Sequence, residues 1–410
     1  MNKYTHIENG VCAPIGFTAS GIHCGIRKNR EKKDLSLIYS ECDASAACVY
    51  TTNKVKGAPI TVTANNLKAA SGIARAIICN SGNANTCMAD GIDKANTTCK
   101  ELAGKLKIEA KKVIIASTGV IGQPLNVEAI INGIPELVSN LSKSGNEAAA
   151  EGIMTTDTVK KEIALSFECG GKTVKIGGMA KGSGMINPNM ATLLAFVITD
   201  AAITPQMLEK AVKQSCALSY NMISVDGDTS TNDMLSVMAN GMAENALIDS
   251  ENSDYDTFLN ALNMVNIHLA RTMAKDGEGA TKLIECTVSG AKNEEQARAL
   301  SKSVISSSLV KAAIFGADAN WGRILCAMGY SKVDFEPTAV NVTFASKNGR
   351  IAVCENGSAI NFDEDKAKEV LSSDEIMLDI TINGGGKGKA TAWGCDLTYE
   401  YVKINGDYRT

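Results

Sequence analysis

The sequence predicts a layered protein of mixed α/β class, and three features of the 410-residue chain support this prediction. Short, uninterrupted apolar runs, such as LLAFVI at 193–198, end at turn residues, which is typical of strands buried on both faces. Segments with helical spacing of apolar residues, such as 254–274, alternate with these runs. The length exceeds that of one small domain, so we expect two or three lobes with a large core.

The composition excludes several classes of partner. Apolar residues make up 45% of the chain and charged residues 21%, and the formal net charge is -4, so nothing indicates binding to nucleic acid or to an anionic membrane. The N-terminal residues MNKYTHIENGVC lack the apolar centre of a signal peptide, and no apolar run approaches the roughly 20 residues that span a bilayer. We therefore expect a cytoplasmic protein with small soluble partners.

The sequence supports neither a metal nor an organic cofactor. The three histidines are scattered, and no two of the thirteen cysteines form a CxxC pair. The loop VDGDTSTND at 225–233 resembles a calcium loop superficially but lacks the glutamate that such a loop needs at its end. The glycine-rich segment 383–388 lacks P-loop spacing, and GMAKGSG at 178–184 lacks the third glycine of a dinucleotide fingerprint.

The first half of the chain contains β-like runs and a loop rich in glycine and asparagine. Residues 35–64 hold the runs LSLIY, ACVYT and PITVTA, which predict short strands. After the loop NSGNANTCMADG at 80–91, the run VIIAST predicts a buried strand with Thr118 and Gly119 at its tip. There a hydroxyl and a backbone N–H can converge on one point, as an oxyanion requires, although an ordinary strand-end turn has the same residues.

A glycine-rich segment at 181–190 leads into the apolar run LLAFVI, and Thr192 stands at the boundary. The simplest interpretation is a loop before a core strand, with no chemical role for the threonine. The alternative is that the Ala191–Thr192 peptide bond is cut, so that Thr192 becomes an N-terminal nucleophile whose own α-amine is the general base. An α-amine has an ordinary pKa of about 7.7 to 8.0, which suits that role near neutral pH.

Two further segments carry polar side chains in loops. The hydroxyl cluster MTTDT at 154–158 is suited either to capping or to binding. Glu278 lies between two glycines in a turn, where an acidic side chain is either exposed and inert or positioned to meet a substrate ammonium group.

These landmarks together resemble the ornithine acetyltransferase family, whose members are also called bifunctional glutamate N-acetyltransferases. The resemblance covers nearly the whole chain. It rests on the joint presence of the segments KGSGMINPNMATLLAFVITDA, NSGNAN, STGVIG, MTTDT, VDGDTSTND, DGEGATK, NWGRI and CDLTYEYVKINGDYRT. It implies an αββα sandwich built from a precursor that cuts itself between Ala191 and Thr192. The α chain is then 1–191 and the β chain 192–410, paired in an α2β2 heterotetramer.

The resemblance also implies roles for single residues. Thr192 is the implied nucleophile, and Thr118 and Gly119 form the implied oxyanion site. The implied substrate-binding residues are Thr155 or Thr156, Lys181, Thr192, Glu278, Asn405 and Thr410. A lysine and a glutamate in one site suit a zwitterionic amino acid, because they offer a cation to its carboxylate and an anion to its ammonium group.

The implied activity is transfer of an acetyl group from N2-acetyl-L-ornithine to L-glutamate in the cyclic pathway of arginine biosynthesis, through an acetyl ester on Thr192. Some family members also take the acetyl group from acetyl-CoA. The lack of a nucleotide motif favours recycling between the two amino acids as the main activity. Two alternatives stay open: a self-cleaving aminopeptidase of related fold, which passes the acyl group to water, and an uncut, non-catalytic amino-acid sensor.

Overall fold

A computed structural model describes residues 4–187 and 193–406 of the chain. Its strands are β1 (Tyr4–Ile7), β2 (Phe17–Ile22), β3 (Leu35–Tyr50), β4 (Ile73–Asn80), β5 (Val113–Ser117), β6 (Lys161–Cys169), β7 (Lys172–Lys181), β8 (Leu194–Thr199), β9 (Ile223–Ser224), β10 (Met234–Ala239), β11 (Leu283–Ala291), β12 (Val340–Ser346), β13 (Gly349–Glu355), β14 (Ser358–Ala359), β15 (Glu375–Ile382) and β16 (Gly388–Cys395).

These strands form two sheets. Within the described residues, the larger sheet has nine strands in the order β1-β6-β7-β8-β10-β3-β4-β5, with β2 paired to β3. The smaller sheet has seven, in the order β14-β13-β12-β15-β11-β16-β9. In the larger sheet β8 runs parallel to β10 and β4 runs parallel to β5. Strand β8 is therefore central, between β7 and β10.

Helices connect and cover the sheets. They are α1 (Ala58–Ala69), α2 (Gly91–Leu106), α3 (Val127–Ser139), α4 (Asn146–Ile153), α5 (Pro205–Leu218), α6 (Ser253–Lys275), α7 (Glu294–Ser306), α8 (Ser308–Phe315), α9 (Trp321–Gly329), α10 (Glu364–Leu371) and α11 (Tyr399–Asn405). In the part of the chain that the structure describes, no helix is long and apolar enough to cross a membrane.

The packing of the helices on the faces of the two sheets defines the layers of the fold. Helices α1 to α4 pack on the larger sheet, for example α4 on β2 and β3. In the smaller sheet Gly394 lies against Ile305 of α7, whereas Glu285, on the opposite face, pairs with Arg271 of α6. Helix α6 also packs on β6 and β7 of the larger sheet. The expected α/β class with two sheets and outer helices is confirmed, and α6 lies between the sheets as an additional inner element.

Strand β8 shows why the run at 193–198 is continuously apolar. Every residue of β8 is buried. Ala195 and Val197 face the core that contains α5 and α6, whereas Phe196 and Ile198 face the core that contains α4. Both faces of the strand are covered, so no position on it favours a polar side chain.

The first half of the chain departs from the sequence prediction in two places. The segment PITVTA at 59–64 lies in α1, because Pro59 fits the first turn of a helix and the buried Thr63 donates a hydrogen bond to the Ile115 carbonyl (2.7 Å). The run LSLIY and the first four residues of ACVYT belong to the single strand β3, which ends at Tyr50. Its register with β4 shifts between Tyr39 and Ala44, which explains why the apolar pattern is interrupted there.

Candidate active site

A cavity of about 150 Å³ lies where β5 and β7 end and where β8 and β10 begin. The loop after α6 and the end of α11 complete its wall. Its lining residues are Ala84, Thr118, Gly119, Ile121, Thr155, Thr156, Lys181, Gly182, Gly184, Met185, Leu193, Leu194, Ser230, Thr231, Asn232, Asp233, Glu278 and Asn405.

The fold brings most of the predicted site residues to this one cavity. Seven of them line it: Thr118, Gly119, Thr155, Thr156, Lys181, Glu278 and Asn405. Ala191, Thr192 and Thr410 lie outside the described residues. Leu193, which follows Thr192 in the chain, does line the cavity. Segments as far apart in sequence as Ala84 and Asn405 thus meet at the start of β8, while the roles of the individual residues remain predictions.

The tip of β5 offers two hydrogen-bond donors to the cavity. The Thr118 N–H donates to the Asn80 carbonyl (3.0 Å) and the Val120 N–H to the Gly82 carbonyl (3.4 Å), which fixes the backbone on both sides of Gly119. Among the described residues, no hydrogen bond uses the Gly119 N–H itself. The Thr118 hydroxyl accepts a long hydrogen bond from Lys181 Nζ (3.5 Å), so its own hydrogen stays available for donation.

The asparagine-rich loop after β4 holds this tip in position. Ser117 Oγ donates to Asn80 Oδ1 (2.6 Å), and the Asn80 amide donates to the Asn83 carbonyl (2.9 Å). From across the cavity, the Asn232 amide donates to the carbonyls of Ala84 (2.6 Å) and Ser117 (2.9 Å). This loop, rich in glycine and asparagine, therefore supports the Thr118–Gly119 tip.

Lys181 is the cation of the cavity. It ends β7 and is only 8% exposed. Burial lowers the pKa of Lys181, and the neighbouring carboxylates of Asp157 and Glu278 offset that effect only in part. A bound carboxylate would favour the charged form of Lys181, so the site favours an anionic group beside it.

Glu278 is the acidic side chain that faces the same space. It is 8% exposed, its N–H donates to the Ser183 carbonyl (2.8 Å), and the Asn405 amide donates to its Oε2 (2.8 Å). A Cβ at position 184 would lie 2.3 Å from Glu278 Oε2, so only glycine there leaves room for the carboxylate. The Glu278 side chain is therefore held at the cavity and is not exposed to solvent, although it lies in a turn.

Both threonines of MTTDT reach the cavity. Thr156 Oγ1 is hydrogen-bonded to Ser183 Oγ (2.6 Å), whereas the Thr155 N–H donates to Asp157 Oδ2 (2.9 Å). Both threonines of the cluster therefore line the cavity, and their contact with substrate stays a prediction.

A buried ion pair lies behind the wall. Lys161 Nζ lies 2.6 Å from Asp157 Oδ1 and 2.6 Å from Asp276 Oδ2, and the side chains of Lys161 and Asp157 are fully buried. Asp157 Oδ1 also accepts the Gly182 N–H (2.7 Å). Burial raises the pKa of Asp157, but Lys181 and Lys161 lower it more strongly, so that it lies well below its ordinary value. This ionised carboxylate connects the loop that carries Thr155 with Gly182, which follows Lys181 at the end of β7.

Lys161→Met is expected to lower the free energy of unfolding by about 3–5 kcal/mol, because it leaves two buried carboxylates without their cation. The control is Lys160→Met. Lys160 pairs with Glu147 (3.3 Å) and Glu151 (3.7 Å) at the surface, and such exposed pairs contribute about 0–1 kcal/mol. Urea unfolding of both variants measures the difference, and equal losses would contradict the assignment of the buried pair.

Two polar residues before β10 line the cavity although the sequence analysis gave them no role. Asn232 and Asp233 are the last two residues of the segment VDGDTSTND, which resembles a calcium loop only superficially. Asp226 of that segment accepts the N–H groups of Met185 (2.6 Å) and Ile186 (2.8 Å), so its carboxylate anchors the wall of the cavity. Across residues 4–187 and 193–406 no group of three or more His, Cys, Asp or Glu side chains could hold a metal ion.

Comparison with known proteins shows which family the chain is similar to. The model of the ArgJ family matches residues 18–410. The chain is 52% identical over 405 residues to the arginine biosynthesis bifunctional protein ArgJ of Caldanaerobacter subterraneus subsp. tengcongensis, covering 98% of this chain and 99% of that one. It is 51% identical over 395 residues to ArgJ 1 of Clostridium acetobutylicum, covering 96% of each.

A solved structure of an ornithine acetyltransferase from Mycobacterium tuberculosis, complexed with ornithine, is 36% identical to this chain. It covers 46% of this chain and 100% of its own, with a TM-score of 0.42. The family model and the two curated relatives, in contrast, extend over nearly the whole chain. The chain therefore belongs to the ArgJ family, and it is an acyltransferase of arginine biosynthesis.

Proposed function

We propose that this enzyme transfers the acetyl group of N2-acetyl-L-ornithine to L-glutamate through an acetyl ester on Thr192, after cutting its own Ala191–Thr192 bond. The observation that carries the proposal is the convergence of Thr118, Gly119, Lys181 and Glu278 on one cavity at the start of β8. Leu193 lines that cavity, and Thr192 is the residue joined to it.

Self-cleavage divides the chain into an α fragment, 1–191, and a β fragment, 192–410. The cavity takes Thr118 and Lys181 from the first and Glu278 and Asn405 from the second, so both fragments are needed for one site. Strands β7 and β8, on either side of the proposed cut, are neighbours in one sheet and would keep the fragments together. We further propose that two such pairs assemble as an α2β2 heterotetramer in the cytoplasm.

The acyl-transfer steps follow from ordinary chemistry. Thr192 Oγ attacks the acetyl carbonyl carbon, its proton passes to the α-amine of Thr192, and the carbonyl oxygen becomes an oxyanion. The Gly119 N–H and the Thr118 hydroxyl are the proposed donors to that oxyanion. The amide C–N bond then breaks, and ornithine leaves with the proton. The amine of glutamate attacks the ester by the reverse sequence, which restores the Thr192 hydroxyl.

The charges of the cavity support amino-acid substrates. Lys181 would bind a carboxylate and Glu278 an ammonium group, with Asn405 holding Glu278 in position. Thr155 or Thr156, which also line the cavity, would contact the substrate, and Thr410 is a further proposed contact. This chemistry needs neither a metal nor an organic cofactor, because the nucleophile, the base and the oxyanion donors all belong to the protein.

Acetyl-ornithine given without glutamate is expected to add the mass of one acetyl group to the 192–410 fragment alone, because the ester accumulates when no acceptor is present. Intact-mass spectrometry measures this. With both substrates, parallel double-reciprocal lines are expected, since one site is used in turn. An acetyl group on the 1–191 fragment would contradict the assignment of Thr192.

The same preparation separates the alternatives. An aminopeptidase would release free N-terminal amino acids from peptides, and a sensor would stay uncut and unacetylated. Replacing acetyl-ornithine with acetyl-CoA tests the donor, and we expect the lower kcat/KM for acetyl-CoA. Equal kcat/KM values for the two donors would show that recycling is not the main activity.

A further inference from the structure

The side chain of Asn232 makes four hydrogen bonds in the wall of the cavity. It is 6% exposed and lies two residues before β10. Its amide nitrogen donates to the carbonyls of Ala84 (2.6 Å) and Ser117 (2.9 Å). Its Oδ1 accepts the hydroxyls of Thr86 (2.7 Å) and Thr231 (2.5 Å). A primary amide offers two hydrogens and two acceptor positions, so these four bonds use its full capacity.

The bond to Ser117 bears directly on the proposed oxyanion donors. The Ser117 carbonyl and the Thr118 N–H belong to one planar peptide group. Asn232 holds the oxygen of this group, and its N–H donates to the Asn80 carbonyl (3.0 Å), so both polar ends are fixed. The Gly119 N–H belongs to the next peptide group, and its direction depends on how this one is held.

Asn232 also reaches the other side of the Thr118–Gly119 tip, through Ala84. The Ala84 N–H donates to the Val120 carbonyl (3.0 Å), while the Ala84 carbonyl accepts the Asn232 amide. Ser117 and Val120 flank the tip in sequence, so one side chain is connected to the backbone on both sides of it. A buried carbonyl that loses its donor costs free energy unless it moves to another partner.

Three of these four bonds cross the proposed cut. Asn232 lies in the β fragment, whereas Ala84, Thr86 and Ser117 lie in the α fragment. Gly57 of the α fragment leaves space for the amide, since a Cβ there would lie 2.5 Å from Asn232 Nδ2. The backbone that carries the proposed oxyanion donors is thus held by a side chain of the other fragment.

We propose that Asn232 is a positioning residue of the oxyanion site, whose amide holds the Ser117–Thr118 peptide group so that the Thr118 hydroxyl and the Gly119 N–H converge on the acetyl oxygen. The inference rests on the proposed function. Donors that are already in place stabilise an oxyanion without reorganising as its charge develops, so a tip that can rotate stabilises it less. Asn232 acts through the backbone, and no bond is made or broken through it.

The test compares Asn232→Ala with the cleaved wild-type enzyme. Alanine leaves the carbonyls of Ala84 and Ser117 without their donor, so the tip is held less firmly. We expect kcat, counted per cut chain by intact mass, to fall about 10- to 100-fold, because misplacement by about 1 Å has an effect of that size. KM should change by less than about threefold, since the oxyanion forms only in the transition state.

Asn232→Asp shows which half of the amide matters. A carboxylate can still accept the hydroxyls of Thr86 and Thr231, but it has no hydrogen for the carbonyls of Ala84 and Ser117. If the donated hydrogens position the tip, N232D should be at least as slow as N232A. Wild-type kcat in N232D would show that the accepted bonds suffice, which contradicts the proposal.

Asn245→Ala is the control for loss of a buried amide. Asn245 is also 6% exposed, and its amide donates to the carbonyls of Ala202 (3.3 Å) and Ala246 (2.8 Å), beyond the far end of β8. All three residues belong to the β fragment. N245A should lower the urea midpoint about as much as N232A, because each leaves two carbonyls without a donor, and it should keep the kcat of the wild type.

Asn240→Ala is the control for loss of a bond between the fragments. Asn240 follows the far end of β10 and is 9% exposed, and its amide donates to the Ile15 carbonyl (2.8 Å) of the α fragment. N240A therefore removes a bond across the proposed cut without touching the tip, and its kcat should stay close to that of the wild type. Equal falls of kcat in N240A and N232A would indicate weaker docking of the fragments and would overturn the role of Asn232.

The outcomes separate this inference from the proposed function. A wild-type chain that stays uncut or transfers no acetyl group would refute the proposed function itself. A cut and active wild type, with an N232A variant whose kcat is unchanged or whose loss lies in KM alone, would refute only the role of Asn232. A folded N232A variant that stays uncut, while N240A and N245A are cut, supports the role, because the tip is then needed for the cut as well. If N232A does not fold, N232D takes its place with the same expected fall.

Discussion

Thr192→Ala is expected to leave the protein as a single chain of 43.1 kDa without acetyltransferase activity. The wild type should run as two fragments of roughly 20 and 23 kDa, from dividing the chain in proportion at residue 191. The reason is that one oxygen serves two reactions. Thr192 Oγ would attack the Ala191 carbonyl in the precursor and the acetyl carbonyl in the mature enzyme, and alanine removes it from both.

Thr192→Ser is the matched control, because it keeps the attacking oxygen and removes only a methyl group. It should be cut, more slowly than the wild type, and then transfer acetyl groups. Denaturing electrophoresis and intact-mass spectrometry measure the cut, and an acetyl-transfer assay measures the activity. An uncut T192A variant with full activity would contradict the N-terminal nucleophile mechanism.

The sequence predicted the central strand and seven of the eighteen residues that line the cavity. Strand β8 was predictable because burial of both faces leaves a continuous apolar run. Thr118 and Gly119 were predictable because a strand followed by glycine ends visibly in sequence. Lys181 and Glu278 were named through the family resemblance, and glycine at 184 leaves the space that Glu278 occupies.

The remaining parts of the site depend on contacts between distant segments, which local pattern does not report. Lys161 pairs with Asp276 across 115 residues of sequence, and Asn232 bonds to Ser117 across 115 residues. The segment that ends in Asp233 resembles a calcium loop superficially, yet Asp233 is buried and lines the cavity. The helix at 59–64 was missed because its β-branched residues favour strands, while its packing on β5 favours the helix.

Gly119→Ala is expected to lower kcat about 10²- to 10³-fold, the loss typical of one oxyanion donor. Gly119 has φ = +133°, a conformation that side chains disfavour. A Cβ at this position would lie 2.3 Å from the carbonyl carbon of Gly82 and 2.5 Å from the nitrogen of Asn83, both backbone atoms. The strand tip or the asparagine-rich loop must shift to relieve that overlap, and the Gly119 N–H shifts with it. Cleavage at Ala191 should slow too, if the same donors serve it.

Gly122→Ala distinguishes this effect from backbone strain alone. Gly122 also has a positive φ, +76°, but a Cβ there would meet nothing within 4 Å. Both variants therefore strain the backbone, while only G119A displaces the loop that supports the donors. We expect G122A to keep kcat within about threefold of the wild type, since strain of roughly 1–2 kcal/mol affects stability rather than the oxyanion site. Because the displaced N–H acts on the transition state, KM in G119A should change much less than kcat. If G119A and G122A have the same kcat, Gly119 is not an oxyanion donor.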